Sequence, residues 1–242
     1  MKGILLAGGT GSRLRPTSLL INKSMLPVYN KPSIYYSLEL MKEVGIKEVC
    51  VIAENNYMDD LKYILGSGMD FGLKLHYEND TPVKKGPASA IYYGKHFAQG
   101  ENVLVVFADG NFDVDISEEV KNFEDGALIF TYPVKDATRF GIVELGDDGQ
   151  VISIEEKPEN PKSNLACTGM AIYDKHLFEY IEQITPGLNG EYYTVDVDKI
   201  YLSQNKLRVK VLEGYWQDVG TFDGLLKAGN YWYKKVHGSP IS

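Results

Sequence analysis

The chain opens on Lys2-Gly3-Ile4-Leu5-Leu6, a short apolar run, and breaks at once into Ala7-Gly8-Gly9-Thr10-Gly11-Ser12. Gly8, Gly9 and Gly11 fall within four residues of one another. Few local patterns limit a fold as much. A buried strand followed by a turn without Cβ atoms lets backbone N–H groups close on an anion. Arg13 stands beside the turn with a planar fork of donors, and Lys23 adds a mobile point charge before Leu26-Pro27 ends the segment. Read together, these residues describe a triphosphate cradle. The bland alternative is a tight turn with no ligand.

Two familiar phosphate motifs are excluded. Gly9-Thr10-Gly11-Ser12-Arg13-Leu14 lacks the last glycine of G-x-G-x-x-G, and no G-x-x-x-x-G-K-[ST] occurs.

Strand-like and helix-like stretches then alternate. A helix is expected from Ser33, with proline before it and Ile34, Leu38 and Met41 on one face. Strands follow at Glu48–Ala53, Leu73–Tyr77 and Asn102–Ala108, with helices at Tyr57–Leu65 and Gly86–Phe97 between them. The last strand is continuously apolar, as a central strand covered on both faces must be. This order argues for a doubly wound, mixed but mainly parallel sheet of the Rossmann-like type. Ligands on such sheets bind beyond the carboxyl ends of the strands.

The second half is richer in β-structure. Ala127–Tyr132, Gly141–Leu145, Val151–Glu155, Thr168–Tyr173 and Leu207–Leu212 read as strands, with helices at Lys175–Ile184, Thr194–Ser203 and Phe222–Val236 and a frayed tail from His237. There is no linker and no internal repeat. We therefore expect one domain over 1–242, with residues 1–125 the more doubly wound half, 126–242 a smaller, β-rich part, and a cleft between them.

A net charge of −8 and no basic stripe exclude a nucleic-acid partner. No leader pattern and no long apolar run occur, so no membrane partner is expected either. Cys50 and Cys167 are too few for a disulfide framework, and the chain reads as cytoplasmic and reduced. The four histidines show no metal-ligand spacing.

Chemistry-bearing groups appear at two further places. Asp109 ends the central strand before Gly110, pointing into the crevice or merely opening a turn. Asp113 and Asp115 are nearby rivals, read as solvated. Glu155-Glu156-Lys157-Pro158 is either a surface charge cluster or a site, and proline should keep Lys157 extended.

The pattern L-A-G-G-x-G-[ST]-R-L, followed by K-x-x-L-P, resembles the signature of the sugar-phosphate nucleotidyltransferases. Matching segments continue to about residue 230, and the chain looks most like the short-form glucose-1-phosphate thymidylyltransferase branch. The resemblance implies a nucleotidyltransferase of nucleotide-sugar and polysaccharide biosynthesis, with residues 1–125 mainly meeting the nucleotide and 126–242 forming the smaller, sugar-phosphate-binding β-rich part. It implies that Asp109 and Asp218 hold Mg²⁺, and that Arg13, Lys23, Asp109 and Lys157 are catalytic. Leu6, Gly8, Gly9, Thr10, Gly11, Arg13, Gly86 and Asp109 would meet the nucleotide. Gly141, Glu156, Lys157, Thr168, Gly169 and Asn189 would meet the sugar phosphate. Assembly into a homo-oligomer stays open. The regulatory C-terminal segment of long family members is expected to be missing or incomplete.

Four departures bear on the substrates. Gly86-Pro87-Ala88-Ser89-Ala90 replaces the family's G-L-A-Q-A, and Asn79 to Lys85 holds no base-reading glutamine. Ala108-Asp109-Gly110 replaces G-D-N, and Asn189 stands where the family's phosphate-gripping arginine would be. The implied reaction joins a nucleoside triphosphate, first dTTP, to a sugar 1-phosphate, first glucose 1-phosphate. UTP, CTP or another phosphorylated acceptor is the alternative, and a non-catalytic sugar-nucleotide-binding homologue is the other. Lys157, rather than residue 189, is expected to carry the acceptor phosphate, with Arg139 and Lys162 as further cations.

Overall fold

The computed structural model describes residues 1–81, 85–187 and 189–239. Strand β1 (Lys2–Leu6) leads into three single 3-10 turns, Ser12–Leu14, Thr17–Leu19 and Lys23–Met25. The ribbon β2 (Pro27–Val28) and β3 (Lys31–Pro32) precedes α1 (Ser33–Glu43), β4 (Glu48–Glu54), α2 (Asn55–Leu65) and β5 (Lys74–Asp80). Next come α3 (Pro87–Tyr92), α4 (Lys95–Ala98), β6 (Val103–Phe107), β7 (Gly110–Asp113) and α5 (Ser117–Asn122). The second half holds β8 (Ala127–Pro133), β9 (Gly141–Leu145), β10 (Val151–Glu156), β11 (Leu165–Tyr173), α6 (Leu177–Gln183) and α7 (Thr194–Ser203). The strands β12 (Leu207–Val211) and β13 (Tyr215–Asp218) and the helix α8 (Phe222–His237) complete it.

Among the described residues nine strands form one sheet in the order β10-β9-β11-β6-β1-β4-β5, with β8 on β11 and β12 on β8. The strands β6, β1, β4 and β5 run parallel, whereas β11 lies antiparallel to β6. Burial follows the strand period of two. Leu5, Val49, Val51, Leu104 and Val106 enter one core, and Ile4, Leu6, Cys50, Ile52, Val103 and Val105 enter the other. The continuous apolar runs are thus two interleaved faces, each covered by its own layer.

Two expectations change. The single helix expected over residues 86–97 is divided at Tyr93-Gly94. A Cβ at Gly94 would stand 2.7 Å from Ile4 Cδ1, so the chain is pressed onto β1 there rather than continuing as a helix. The tail expected from His237 does not start there, because His237 is the last residue of α8 and left-handed Gly238 caps it, and residues 240–242 lie outside the described residues.

Strand β11 serves three neighbours. It pairs with β9 at Leu165–Ala166 and with β6 at Met170–Tyr173, and its register on β8 shifts between Cys167 and Ala171. Gly169 carries the irregularity with φ +78°, and a Cβ there would lie 2.9 Å from Phe107. Such a bulge re-aims side chains, and here it turns Cys167, Thr168 and Gly169 toward one cavity.

Candidate active site

The glycine turn is held from below. Asn22 donates to Ala7 O at 2.7 Å and accepts from Ser24 N at 2.8 Å, which fixes the turn that carries Lys23. Ser18 Oγ donates to Gly11 O at 2.7 Å. Gly9 is left-handed at φ +97°, and Lys23 Nζ would lie 3.1 Å from a Cβ placed on it. The lysine therefore reaches beneath the loop to the end of β6, where it pairs with Asp109 Oδ2. Burial works to raise the Asp109 carboxyl, but Lys23's charge and hydrogen bond, with Arg13 beyond, hold it below the usual range.

A ribbon that the sequence did not announce brings the second carboxylate in. The strands β7 and β13 pair antiparallel with Asp218 opposite Gly110, and Val219 N donates to Asp109 O at 2.9 Å. Thr221 caps α8 by accepting from Gly224 N, and a Cβ on Gly224 would lie 2.1 Å from Asp218 O. That close approach seats the helix directly behind Asp218. Asp218 Oδ1 accepts from Gly220 N at 2.8 Å. Its Oδ2 accepts from Arg139 Nη2 at 3.1 Å, with Arg13 Nη2 3.8 Å away. Two adjacent carboxylates and three cations, Arg13, Lys23 and Arg139, thus share one end of the cleft.

The cleft widens into a cavity of about 270 Å³. Arg13, Asp109, Arg139, Gly141, Glu156, Lys157, Thr168, Gly169 and Asp218 all border it, joining both halves of the chain. Glu156 is half-buried, so burial raises its carboxyl, while Lys157 at 3.2 Å opposes that rise. Gly141 is a close-approach position. A Cβ there would meet Val195 Cγ2 at 2.7 Å and Glu156 Oε2 at 3.2 Å.

Lys157 is not extended. Its φ is +45°, although its N–H still donates to Phe140 O at 2.9 Å. In a continued strand Glu156 and Lys157 would face opposite sides of the sheet. The left-handed turn lets both border the cavity, and this outweighs the extended preference before Pro158. Asp113 is not solvated as expected. It accepts from Lys235 at 2.6 Å and from Tyr231, tying β7 to α8. Asp115 caps Ser117 at 2.9 Å and is exposed.

Other expected residues stand outside the cavity lining. Leu6 ends β1, and Gly8, Gly9, Thr10 and Gly11 form the loop that follows it, up to Arg13, which does border the cavity. Gly86, at φ +106°, is pressed against Tyr192, whose carbonyl oxygen would lie 2.5 Å from a Cβ. Asn189 gives its amide to Glu191 at 3.2 Å and Tyr193 at 2.5 Å. Of the stretch 79–85, which lacks a base-reading glutamine, residues 82–84 lie outside the described residues. Lys162 pairs with Glu144 at 3.3 Å and does not border the cavity. Sequence reasoning gave no role to Phe140, Trp216, Cys167, Tyr173, Tyr193 or Asp198, all of which line it.

Among the described residues no cluster of three or more His, Cys, Asp or Glu side chains could hold a metal, and no helix is long and apolar enough to cross a membrane.

A profile of the family described as nucleotidyl transferase matches residues 2–235. A glucose-1-phosphate thymidylyltransferase of Neisseria meningitidis serogroup A is 38% identical over 237 residues, covering 96% of this chain and 82% of that one. One from Mycobacterium tuberculosis is 37% identical with the same coverage. Among solved structures, a protein described as a glucose-1-phosphate thymidylyltransferase of Bacillus anthracis, in complex with a sucrose, superposes with a TM-score of 0.89 at 36% identity. The match covers 95% of this chain and 94% of that one. A UDP-glucose pyrophosphorylase bound to UDP-glucose shares the fold at a TM-score of 0.83 and 22% identity, covering 97% and 98%.

Proposed function

The chain belongs to the nucleotidyl transferase family, and from that premise we propose that it joins deoxythymidine triphosphate to glucose 1-phosphate. The products are the nucleoside-diphosphate sugar and pyrophosphate. A phosphate oxygen of the acceptor forms a bond to the α-phosphorus. The bond from that phosphorus to the oxygen bridging the α- and β-phosphates breaks, and its electron pair leaves with pyrophosphate. The attacking oxygen is already anionic near neutral pH, so no general base is required. Positioning and charge stabilisation then carry the rate.

The observation that carries this reading is the meeting of two charge sets along one cleft. Arg13, Lys23, Asp109, Asp218 and Arg139 gather where the glycine loop ends, and Glu156 and Lys157 join them along the same cavity. In the proposed division Arg13 and Lys23 serve the triphosphate. Lys157 and Arg139 orient the acceptor phosphate, and Glu156, Gly141, Thr168 and Gly169 flank the sugar. The loop Leu6, Gly8, Gly9, Thr10 and Gly11, with Gly86, borders the nucleoside. Asn189 shapes the Glu191–Tyr193 wall rather than touching phosphate.

The donor set fits magnesium. Asp109 and Asp218 offer hard carboxylate oxygens on neighbouring backbone positions, and two such ligands with substrate phosphates and water suit that ion. When bound, the ion supplies positive charge against the phosphates. Asp109 and Asp218 are the side chains that would hold it.

The test is pyrophosphate release with a panel of dTTP, UTP and CTP against sugar 1-phosphates, with Mg²⁺ present. The proposal expects dTTP with glucose 1-phosphate to lead. A clear lead for UTP or CTP would replace the nucleotide. No turnover with any pair would favour a non-catalytic binder.

A further inference from the structure

The cavity has a floor that phosphoryl chemistry leaves unused. Its lining also includes Val105, Phe107, Ile129, Met170, Ala171 and Val195, all apolar. One carboxyl stands among them. Asp198 lies on α7 one turn beyond Thr194, borders the cavity, and is only 2% exposed. Tyr173 donates its phenol to Asp198 Oδ1 at 2.9 Å. Among the described residues Tyr173 is its only hydrogen-bond partner, and no Lys, Arg or His pairs with it.

A second buried carboxylate shows what a purely structural one looks like here. Asp174, 4% exposed, accepts from Gly126 N, His176 N and the Tyr201 hydroxyl at 2.7 to 2.9 Å. Its hydrogen-bonding capacity is used inside the fold. Asp198 has one such bond and an open volume in front of it. Buried polar groups are almost always satisfied, and one left short beside a cavity waits for a partner. The titratable groups around Asp198 are Glu156 from β10, Asp196 and Tyr201 from α7, and Tyr173 and Cys167 from β11. None of these is a cation, and burial, with the Glu156 and Asp196 carboxyls and against the Tyr173 hydrogen bond, pushes the carboxyl up to about 7.

We propose that Asp198 is a specificity-determining residue of the acceptor pocket, receiving a hydrogen bond from a hydroxyl or amino group on the acceptor, remote from its phosphate. The inference rests on reading the cleft as a sugar-1-phosphate site. The carboxyl receives O–H or N–H donors and, while protonated, also donates to an acceptor oxygen. With apolar walls beside it, an acceptor lacking that group leaves Asp198 unpaired and is rejected. A site built to hold a substrate hydroxyl in this way discriminates far more strongly than one that measures an extra methylene.

The experiment measures kcat/KM at saturating triphosphate for glucose 1-phosphate, its monodeoxy analogues and its aminodeoxy analogues. The enzymes compared are the parent, Asp198→Asn and Asp198→Leu. With the parent, one deoxy compound should fall by on the order of 10²-fold or more against glucose 1-phosphate. Asp198→Leu should bring that ratio close to one by losing the hydroxyl-bearing acceptor. Asp198→Asn, which keeps the shape, should retain hydroxyl recognition while losing any preference for an amine. An amine preference that Asn removes assigns a charged amino group, and its absence assigns a hydroxyl. Equal losses for all acceptors in both variants, or unchanged ratios, would overturn the proposal while leaving the reaction intact. If the parent turns over no sugar 1-phosphate, the reading of the cleft falls, and this inference with it.

Discussion

Replacing Asp198 with asparagine should make the protein's stability respond less to pH, by an amount the structure sets. The carboxyl is raised from its ordinary value of 3.8 to about 7, first by burial and then by the carboxyls of Glu156 and Asp196, against the lowering effect of Tyr173. A folded-state pKa above the unfolded one means the native state holds the proton longer. That stabilisation is complete below about pH 4 and is lost as pH rises through about 7. A gap of about three pH units, at about 1.4 kcal/mol each, amounts to roughly 4 kcal/mol over the whole range. Between about pH 5 and pH 8 the loss is roughly 2 to 3 kcal/mol. Asparagine cannot ionise, yet its amide oxygen still accepts from Tyr173. The free-energy difference, variant minus parent, should therefore climb by that amount from about pH 5 to pH 8. In urea titrations this is a relative midpoint shift of about 1 M. Asp80, pushed up to about 6 first by burial and then by Glu54, loses stability in the same direction. It does so in both proteins, so it cancels in the difference. A difference that stays constant across this range would refute the reasoning, because Asp198 would then carry no proton that folding protects.

The other expectations concern the charged end of the cleft. Asp109→Asn and Asp218→Asn should each remove most turnover in saturating Mg²⁺ while circular dichroism stays unchanged; near-normal rates in both would take these carboxylates out of the reaction. Lys23→Ala should weaken triphosphate and pyrophosphate far more than sugar phosphate in calorimetric titrations, and equal losses on both sides would contradict the division of labour. Lys157→Ala should lower kcat/KM for the acceptor by at least about 10²-fold, or roughly 2.7 kcal/mol. Asn189→Arg should change it little, because residue 189 stands outside the cavity lining. A loss below about threefold for Lys157→Ala would pass the phosphate contact to Arg139, which borders the same cavity.

What could be read from the chain and what could not divide along a physical line. Local signals were sufficient where the signal is local. The apolar runs of β1, β4 and β6 fix their burial, and the glycine loop with Arg13 and Lys23 could be read directly. Asp218 was placed only through resemblance, because its meeting with Asp109 depends on β7 and β13 pairing across more than one hundred residues. No local pattern in Gly110–Asp113 or Tyr215–Asp218 announces that partner. Asp113 reads as solvated from the sequence for the same reason, since its partners Lys235 and Tyr231 lie more than one hundred residues away. Asp198 is different, because its signal was present and went unread. It follows Val195 and precedes Tyr201 at three-residue steps on α7, so a carboxylate sits on the buried stripe of an otherwise ordinary helix. A charge on that stripe was visible in the sequence as a group needing a reason.

The misjudged backbone of Lys157 shows how the fold meets the demands of the site. A lysine before proline ought to continue the strand, and continuing it would send the ammonium to the face opposite Glu156. The chain instead keeps the Lys157 N–H on Phe140 and turns left-handed at that residue. A left-handed non-glycine residue costs on the order of 1 kcal/mol or more. The surrounding hairpin holds it there, and two oppositely charged neighbours reach one cavity from consecutive positions. The same logic runs through the rest of the cleft. Lys23 reaches under a glycine whose Cβ would crowd it, and Gly141 leaves room for Glu156 and Val195. Charge is brought together by backbone departures that few residue types tolerate, and the sheet supplies the packing that keeps those departures in place. The glycines and the left-handed lysine therefore shape the cleft that gathers these charges, although of these residues only the lysine carries one.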